Sequence, residues 1–168
     1  MKQLHKMMDQ AETSPLKRKF LQWALSYSIP FNRPHKFKIL EVYKNGIHVQ
    51  LPYLRVNKNH LNGIHACALA TLCEFVSGLT LMRALRRDDL RLIMKDLKMT
   101  YHYQAKKTVS ASAQITTVEI DQKIIGPLQL VDSVLYLMAI EVYDTEKNHI
   151  CTAEVNWQLK KWNKVKTN

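Results

Sequence analysis

From Asn59 to Met82 the chain reads NHLNGIHACALATLCEFVSGLTLM, a nearly unbroken apolar run with Glu74 in its middle and His65 near its start. As a helix it makes about five turns and is apolar on every side, so something must wrap it all round. The stretch from Ile64 to Met82 approaches the length of a membrane span, but Glu74 falls at its centre, where hydrocarbon penalises a carboxylate. Its flanks are strand-like, not anchor-like. It therefore reads as the core helix of a water-soluble fold, with no transmembrane segment. A carboxylate buried in such a helix is costly unless it is paired or used.

The rest of the chain supplies the wrapping. Residues 1–13 are polar and are expected to be a flexible N-terminus. Ser14-Pro15 is a helix start, and Leu16, Phe20, Trp23, Ala24 and Tyr27 form one apolar stripe that predicts a helix packed on a sheet edge. Phe37, Ile39 and Tyr43 alternate with polar residues. Asn45-Gly46 gives a turn signal, and Ile47, Val49, Leu51 and Tyr53 alternate again, which predicts a hairpin. After the central helix, period two returns in Leu97–Tyr103, Val109–Ile115 and Cys151–Leu159. Val134–Tyr143 is almost continuously apolar and predicts a strand buried on both faces, and Asp121–Asp132 reads as a long connection. One antiparallel sheet around one helix accommodates this order. The expected division is a domain over 14–159 and a basic tail over 160–168.

The chain has 168 residues, enough for a core without staples, and its three cysteines (Cys67, Cys73, Cys151) show no metal-binding spacing. Reduced thiols and the absence of an apolar leader at the N-terminus suggest a cytoplasmic protein. The formal charge of +11 suits polyanionic partners, but no helix-turn-helix, zinc-finger or RNP-like motif accompanies it, so no specific nucleic-acid role is expected.

His65 and Glu74 lie nine residues apart and do not share a helix face as neighbours. Joint action by the two requires one elongated ligand that reaches both, or a second copy of the chain. His65 lies at the helix N-terminus, where free N–H groups hold an oxyanion or carbonyl oxygen. Glu74, desolvated by Leu72, Cys73, Phe75 and Val76, is suited to act as a general base or a nucleophile.

The spacing Asn59-x5-His65-x8-Glu74 resembles that of the hotdog-fold acyl-CoA thioesterases, more narrowly their phenylacetate-pathway thioesterase-like branch and a related group of unknown function. The resemblance runs from Phe37 to Leu159, and its specific part is Asn59–Gly78. It implies an α+β hotdog fold, an antiparallel sheet wrapped around one long central helix, here with an extra N-terminal helix. It also implies that Glu74 attacks the thioester or activates water, that the Ala66 N–H polarises the carbonyl, that His65 helps place it, and that Asn59 positions substrate or water. Cys67, Ser77 and Gly78 are then substrate contacts beside the acid. Arg83, Arg86, Arg87, Lys106 and Lys107 are candidates for the phosphates of coenzyme A, although positive charge at the end of the helix also suits its dipole.

The expected partners are an acyl-CoA or acyl-carrier-protein substrate and a second copy of the chain, as a homodimer or tetramer with the site between subunits. No cofactor or metal is expected. In two places the sequence departs from the family: His65-Ala66-Cys67 replaces its His-Gly-Gly, and Gly78 stands where the best-known enzymes carry a hydroxyl. These departures keep a second function open, a non-catalytic hotdog protein that binds acyl groups or a protein partner.

Overall fold

The computed structural model describes residues 2–165. Lys2–Thr13, expected to be flexible, forms a helix, α1, with Met8 and Ala11 fully buried. The ordering comes from partners that sequence spacing does not reveal: Asp9 and Glu12 are held by the guanidinium of Arg83, seventy residues or more away. Helix α2 (Pro15–Ser28) follows directly, its N-terminus capped by the Ser14 side chain and its first turn occupied by Pro15, as expected.

The orientation of α2 corrects the sequence reading. Leu21 and Leu25 point into the core, while the stripe Leu16, Phe20, Trp23 and Tyr27 faces solvent. Polar ties to the first strand fix that rotation. The Gln22 side-chain oxygen accepts from the Ile39 N–H at 3.2 Å, and the Arg18 guanidinium donates to the Leu40 carbonyl.

A 3-10 segment, Pro30–His35, leads to strands β1 (Lys38–Tyr43) and β2 (Gly46–Leu51), paired as a hairpin. The turn is one residue earlier than the Asn45-Gly46 signal suggests: Tyr43 pairs with Gly46, and Lys44-Asn45 make the reversal. Gly46 is needed as a strand residue, because a Cβ there would stand 2.1 Å from the Ala113 carbonyl oxygen. A short 3-10 turn (Arg55–Asn57) precedes the central helix α3, Ala66–Leu85. Then come β3 (Leu90–Tyr101), β4 (Val109–Gln114), β5 (Ser133–Asp144) and β6 (His149–Lys161). The long connection between β4 and β5 is helical: α4 (Thr117–Ile120), a π turn (Asp121–Ile125) and α5 (Gly126–Leu130).

The six strands form one antiparallel sheet in the order β1-β2-β4-β5-β6-β3, wrapped around α3. This is the hotdog architecture expected from the sequence, and among the described residues the one helix long and apolar enough to span a membrane is its core. Leu72, Val76 and Leu81 of α3 are fully enclosed against Ile47, Ile140 and Val155 of the sheet. Such burial is worth about 1.5–3 kcal/mol per large side chain.

β5 is not buried on both faces. Its residues alternate strictly, and Leu135 and Leu137 lie on the outer face, with Leu137 55% exposed. The helix covers one side of the sheet only, so a continuous apolar run cannot be buried twice. Lys160 and Lys161, assigned to the basic tail, continue β6; Lys166 lies outside the described residues.

The two sheet edges differ. On β1 the outer edge is covered by α2, through Gln22 and Arg18. On β3 the outer edge is bare over twelve residues, with Ile93 and Met94 exposed along it. An unpaired edge of that length is a template for another strand.

Candidate active site

The segment before α3 is pinned from several sides. Buried Asn57 donates through its side chain to the carbonyls of His35 and Pro52, and its backbone carbonyl accepts the His65 N–H at 2.8 Å. The Ile64 N–H donates to the Ala105 carbonyl. Asn59 closes the intervening loop, its side-chain oxygen accepting from the N–H groups of Leu61 and Gly63. His65 is the N-cap of α3: its Nδ1 accepts the Cys67 N–H at 3.1 Å, which places the ring proton on Nε2. His65→Ala should therefore lower stability by about 1 kcal/mol in urea unfolding, whatever its effect on any reaction. An unchanged midpoint would show that the cap contributes nothing.

The Ala66 N–H, next in the chain, has no hydrogen-bond partner among the described residues. Ala66 lines a groove of about 320 Å³ beside Tyr101 and Gln104, where the Tyr101 hydroxyl donates to the Ala66 carbonyl at 3.2 Å. A free N–H at the positive end of a twenty-residue helix is suited to hold a carbonyl oxygen.

Glu74 lies two turns further on and opens elsewhere. On α3, Cys67, Ala70, Thr71 and Glu74 form a stripe that floors an open cleft of about 410 Å³. Phe31 and Asn32 of the 3-10 segment form one wall, and Met94 and Leu97 of β3 the other. The Glu74 carboxylate is half-buried and has no hydrogen-bond donor among the described residues; burial alone pushes its pKa up from the usual 4.5. Neither His102 nor a tyrosine pairs with it. His102 bonds Thr152, and the Tyr101 hydroxyl bonds Ala66. An unpaired, partly desolvated carboxylate facing an apolar cleft is a candidate functional group.

Within one chain the structure does not bring the two ends together. Ala66 and Asn59 line one groove, Glu74 and Cys67 the other, and β3 contributes a wall to each. Thr71, Phe31 and Met94 line the cleft without any motif of their own in the sequence, although the spacing Cys67, Ala70, Thr71, Glu74 marks the helix stripe. Two expected substrate contacts are corrected. Ser77 is fully buried: it accepts from Trp157 Nε1 at 3.0 Å and donates to the Glu74 carbonyl. Gly78 packs under the same indole, which a Cβ would meet at 3.0 Å. Trp157 thus takes the space that a hydroxyl would need.

The basic candidates are also mostly committed. Arg83 is 3% exposed and bound to Asp9, Glu12 and the Tyr43 carbonyl. Arg86 pairs with Asp9, Arg87 with Asp89 and Lys107 with Glu146. Lys106 is exposed, with no ion pair among the described residues.

Comparison with known proteins bears on the fold. A probable thioesterase of unknown function from Pseudomonas aeruginosa superposes with a TM-score of 0.76 at 18% identity, over 85% of this chain and 95% of that one. A Haemophilus influenzae thioesterase gives 0.65 at 12% identity, over 86% and 90%. A mutant thioesterase enzyme from Staphylococcus aureus gives 0.61 at 13% identity, over 78% and 98%. No curated protein sequence matches this one. The fold is thus that of the hotdog thioesterase-like proteins. The family described as Domain of unknown function (DUF4442) matches residues 17–159, and the chain belongs to that family.

Proposed function

We propose that the protein is a cytoplasmic thioesterase that hydrolyses an acyl group carried on coenzyme A or acyl carrier protein, in a site built by two copies of the chain. The observation that carries this reading is the unpartnered Glu74 carboxylate in an apolar cleft. The free Ala66 N–H supplies the complementary group. In this reading the Ala66 N–H polarises the thioester carbonyl and His65, through its cap, fixes the N–H. Glu74 removes a proton from the attacking water, or attacks the carbonyl itself to form a mixed anhydride that the water then hydrolyses, regenerating the carboxylate. The thiolate leaves and takes a proton, so one water and one thioester give one acid and one thiol.

The bare β3 edge supports the pairing of two chains. Antiparallel pairing of β3 with its copy, centred near Leu97, sets Tyr101 of one chain against the Ile93–Met94 region of the other. The Ala66 groove of one chain then adjoins the Glu74 cleft of its partner. A homodimer is the minimum, and two such dimers would make a tetramer. For the phosphates of coenzyme A, Lys106 is the basic candidate not engaged in an ion pair.

The second reading, a non-catalytic acyl-binding protein, is favoured by the replacement of the family's hydroxyl position with Gly78 under Trp157. Thiol release from a series of acyl-CoAs of increasing chain length separates the two. Turnover of at least one member supports hydrolysis. A raised melting temperature without thiol release selects the binding reading. No release and no stabilisation by any member overturns both.

A further inference from the structure

Helix α2 is apolar on two faces, and only one is used. Leu21 and Leu25 fill the inner face. On the outer face, Leu16, Phe20, Trp23 and Tyr27 fall within an arc of about 60°, at about 100° per residue. Their rings are in register, with Phe20 and Trp23 centroids 5.8 Å apart and those of Trp23 and Tyr27 6.2 Å apart, both stacked. Phe31, 72% exposed, adds another aromatic side chain on the following 3-10 segment. Exposed aromatics of this number on a small domain mark a contact surface.

Along the stretch of chain that carries them the charge has one sign. Between Ser14 and Leu40 the chain carries Lys17, Arg18, Lys19, Arg33, Lys36 and Lys38 and no carboxylate at all. Arg18 is turned inward to Leu40, and the other basic side chains are exposed. Lys17 and Lys19 flank the stripe on either side. Arg33, Lys36 and Lys38 line a groove of about 390 Å³ whose other wall is Trp23 and Tyr27. The nearest carboxylates in the sequence are already engaged, Glu12 by Arg83 and Glu41 by Tyr43.

We propose that this face of α2 and the adjoining 3-10 segment docks on bilayers of anionic phospholipid. The aromatic rings enter the interfacial layer to a depth of about 5–10 Å, and the flanking cations meet the phosphates of the headgroups. Trp and Tyr, with an apolar body and a polar tip, suit that layer. A second copy of the chain fits the face poorly. A two-fold contact would set each lysine and arginine against the same patch with no acid to compensate. An acidic protein partner would answer the charge, but the aromatic ridge stands out from a helix and offers a partner no enclosing pocket.

The Phe31 ring also lines the Glu74 cleft, so a docked molecule holds the mouth of that cleft at the membrane plane. This consequence rests on the thioesterase reading; the docking does not, and its test needs no catalytic assay.

Co-sedimentation of the full chain with vesicles of phosphatidylcholine, with and without phosphatidylglycerol, is the experiment. Wild type should bind the phosphatidylglycerol vesicles and release as salt rises. Phe20→Ser with Trp23→Ser, and separately Lys17→Glu with Lys19→Glu, should each weaken binding about tenfold or more. These positions are exposed, and unchanged circular dichroism and melting temperature would verify that both variants fold. No binding to phosphatidylglycerol vesicles at low salt overturns the proposal. So does a serine variant that binds as well as wild type, which would reduce the effect to net charge. A serine variant that alters the oligomeric state in analytical ultracentrifugation also overturns it, in favour of a protein interface.

Discussion

Glu74→Gln should lower the rate of thioester hydrolysis by about 10²–10⁴-fold while leaving the protein folded. Glutamine keeps the shape of the side chain and can neither take a proton from water nor attack a carbonyl. The loss should appear in kcat more than in KM, because the cleft walls are unchanged. Burial raises the Glu74 pKa above its usual 4.5, so the ionised form that the proposed hydrolysis requires is favoured only at higher pH. Wild-type kcat/KM should rise with pH through a midpoint above 4.5. The same shift governs stability. The raised folded-state value means that Glu74 supports the fold when protonated, and that this contribution is lost as pH rises through the folded pKa. Glu74→Gln should then be more stable than wild type near neutral pH, with the difference vanishing in acid. Equal hydrolysis rates for the two proteins would remove Glu74 from the chemistry. A lower melting temperature for the variant at neutral pH would mean that the carboxylate has a structural partner.

The sequence exposes what is periodic and local. The apolar run shows that α3 is the core, because no other arrangement hides a helix apolar all round. The alternation of Cys151 to Leu159 fixes which face of β6 meets it. The position of Glu74 is legible for the same reason: a carboxylate amid Leu72, Cys73, Phe75 and Val76 interrupts the pattern. What failed depended on rotation and on distant partners. The stripe on α2 obeys helical spacing equally well facing in or out. Its rotation is decided by Gln22 and Arg18 reaching β1, and no spacing within the helix reports that. Ser77 and Gly78 read as site residues through the family resemblance around Glu74, yet helix geometry turns them toward Trp157, about eighty residues away in sequence.

Arg83→Met should destabilise the fold by about 2–4 kcal/mol, the largest effect expected from a substitution away from Glu74. Its guanidinium is buried between three acceptors on two elements: the Tyr43 carbonyl at 3.0 Å, the Asp9 carboxylate, and Glu12 at 2.6 Å. Methionine retains most of the aliphatic packing, so the cost isolates the lost hydrogen bonds. The carboxylates are about 40% exposed and rehydrate when abandoned, which keeps the loss below that of two fully buried charges. Arg86, followed by Arg83, holds the Asp9 carboxyl well below its usual 3.8, so Asp9 stabilises the fold above that pH and the contribution is lost as pH falls toward its folded value. Because Arg86 remains in the variant, part of this acid sensitivity should persist. Arg83→Lys should recover only part of the stability, since an ammonium cannot fork to all three acceptors. Loss of the clamp should also release α1, making the peptide bonds around Thr13 sensitive to limited proteolysis before the sheet unfolds. A urea midpoint within experimental error of wild type, together with a protected α1, would show that Met8 and Ala11 hold the helix without Arg83.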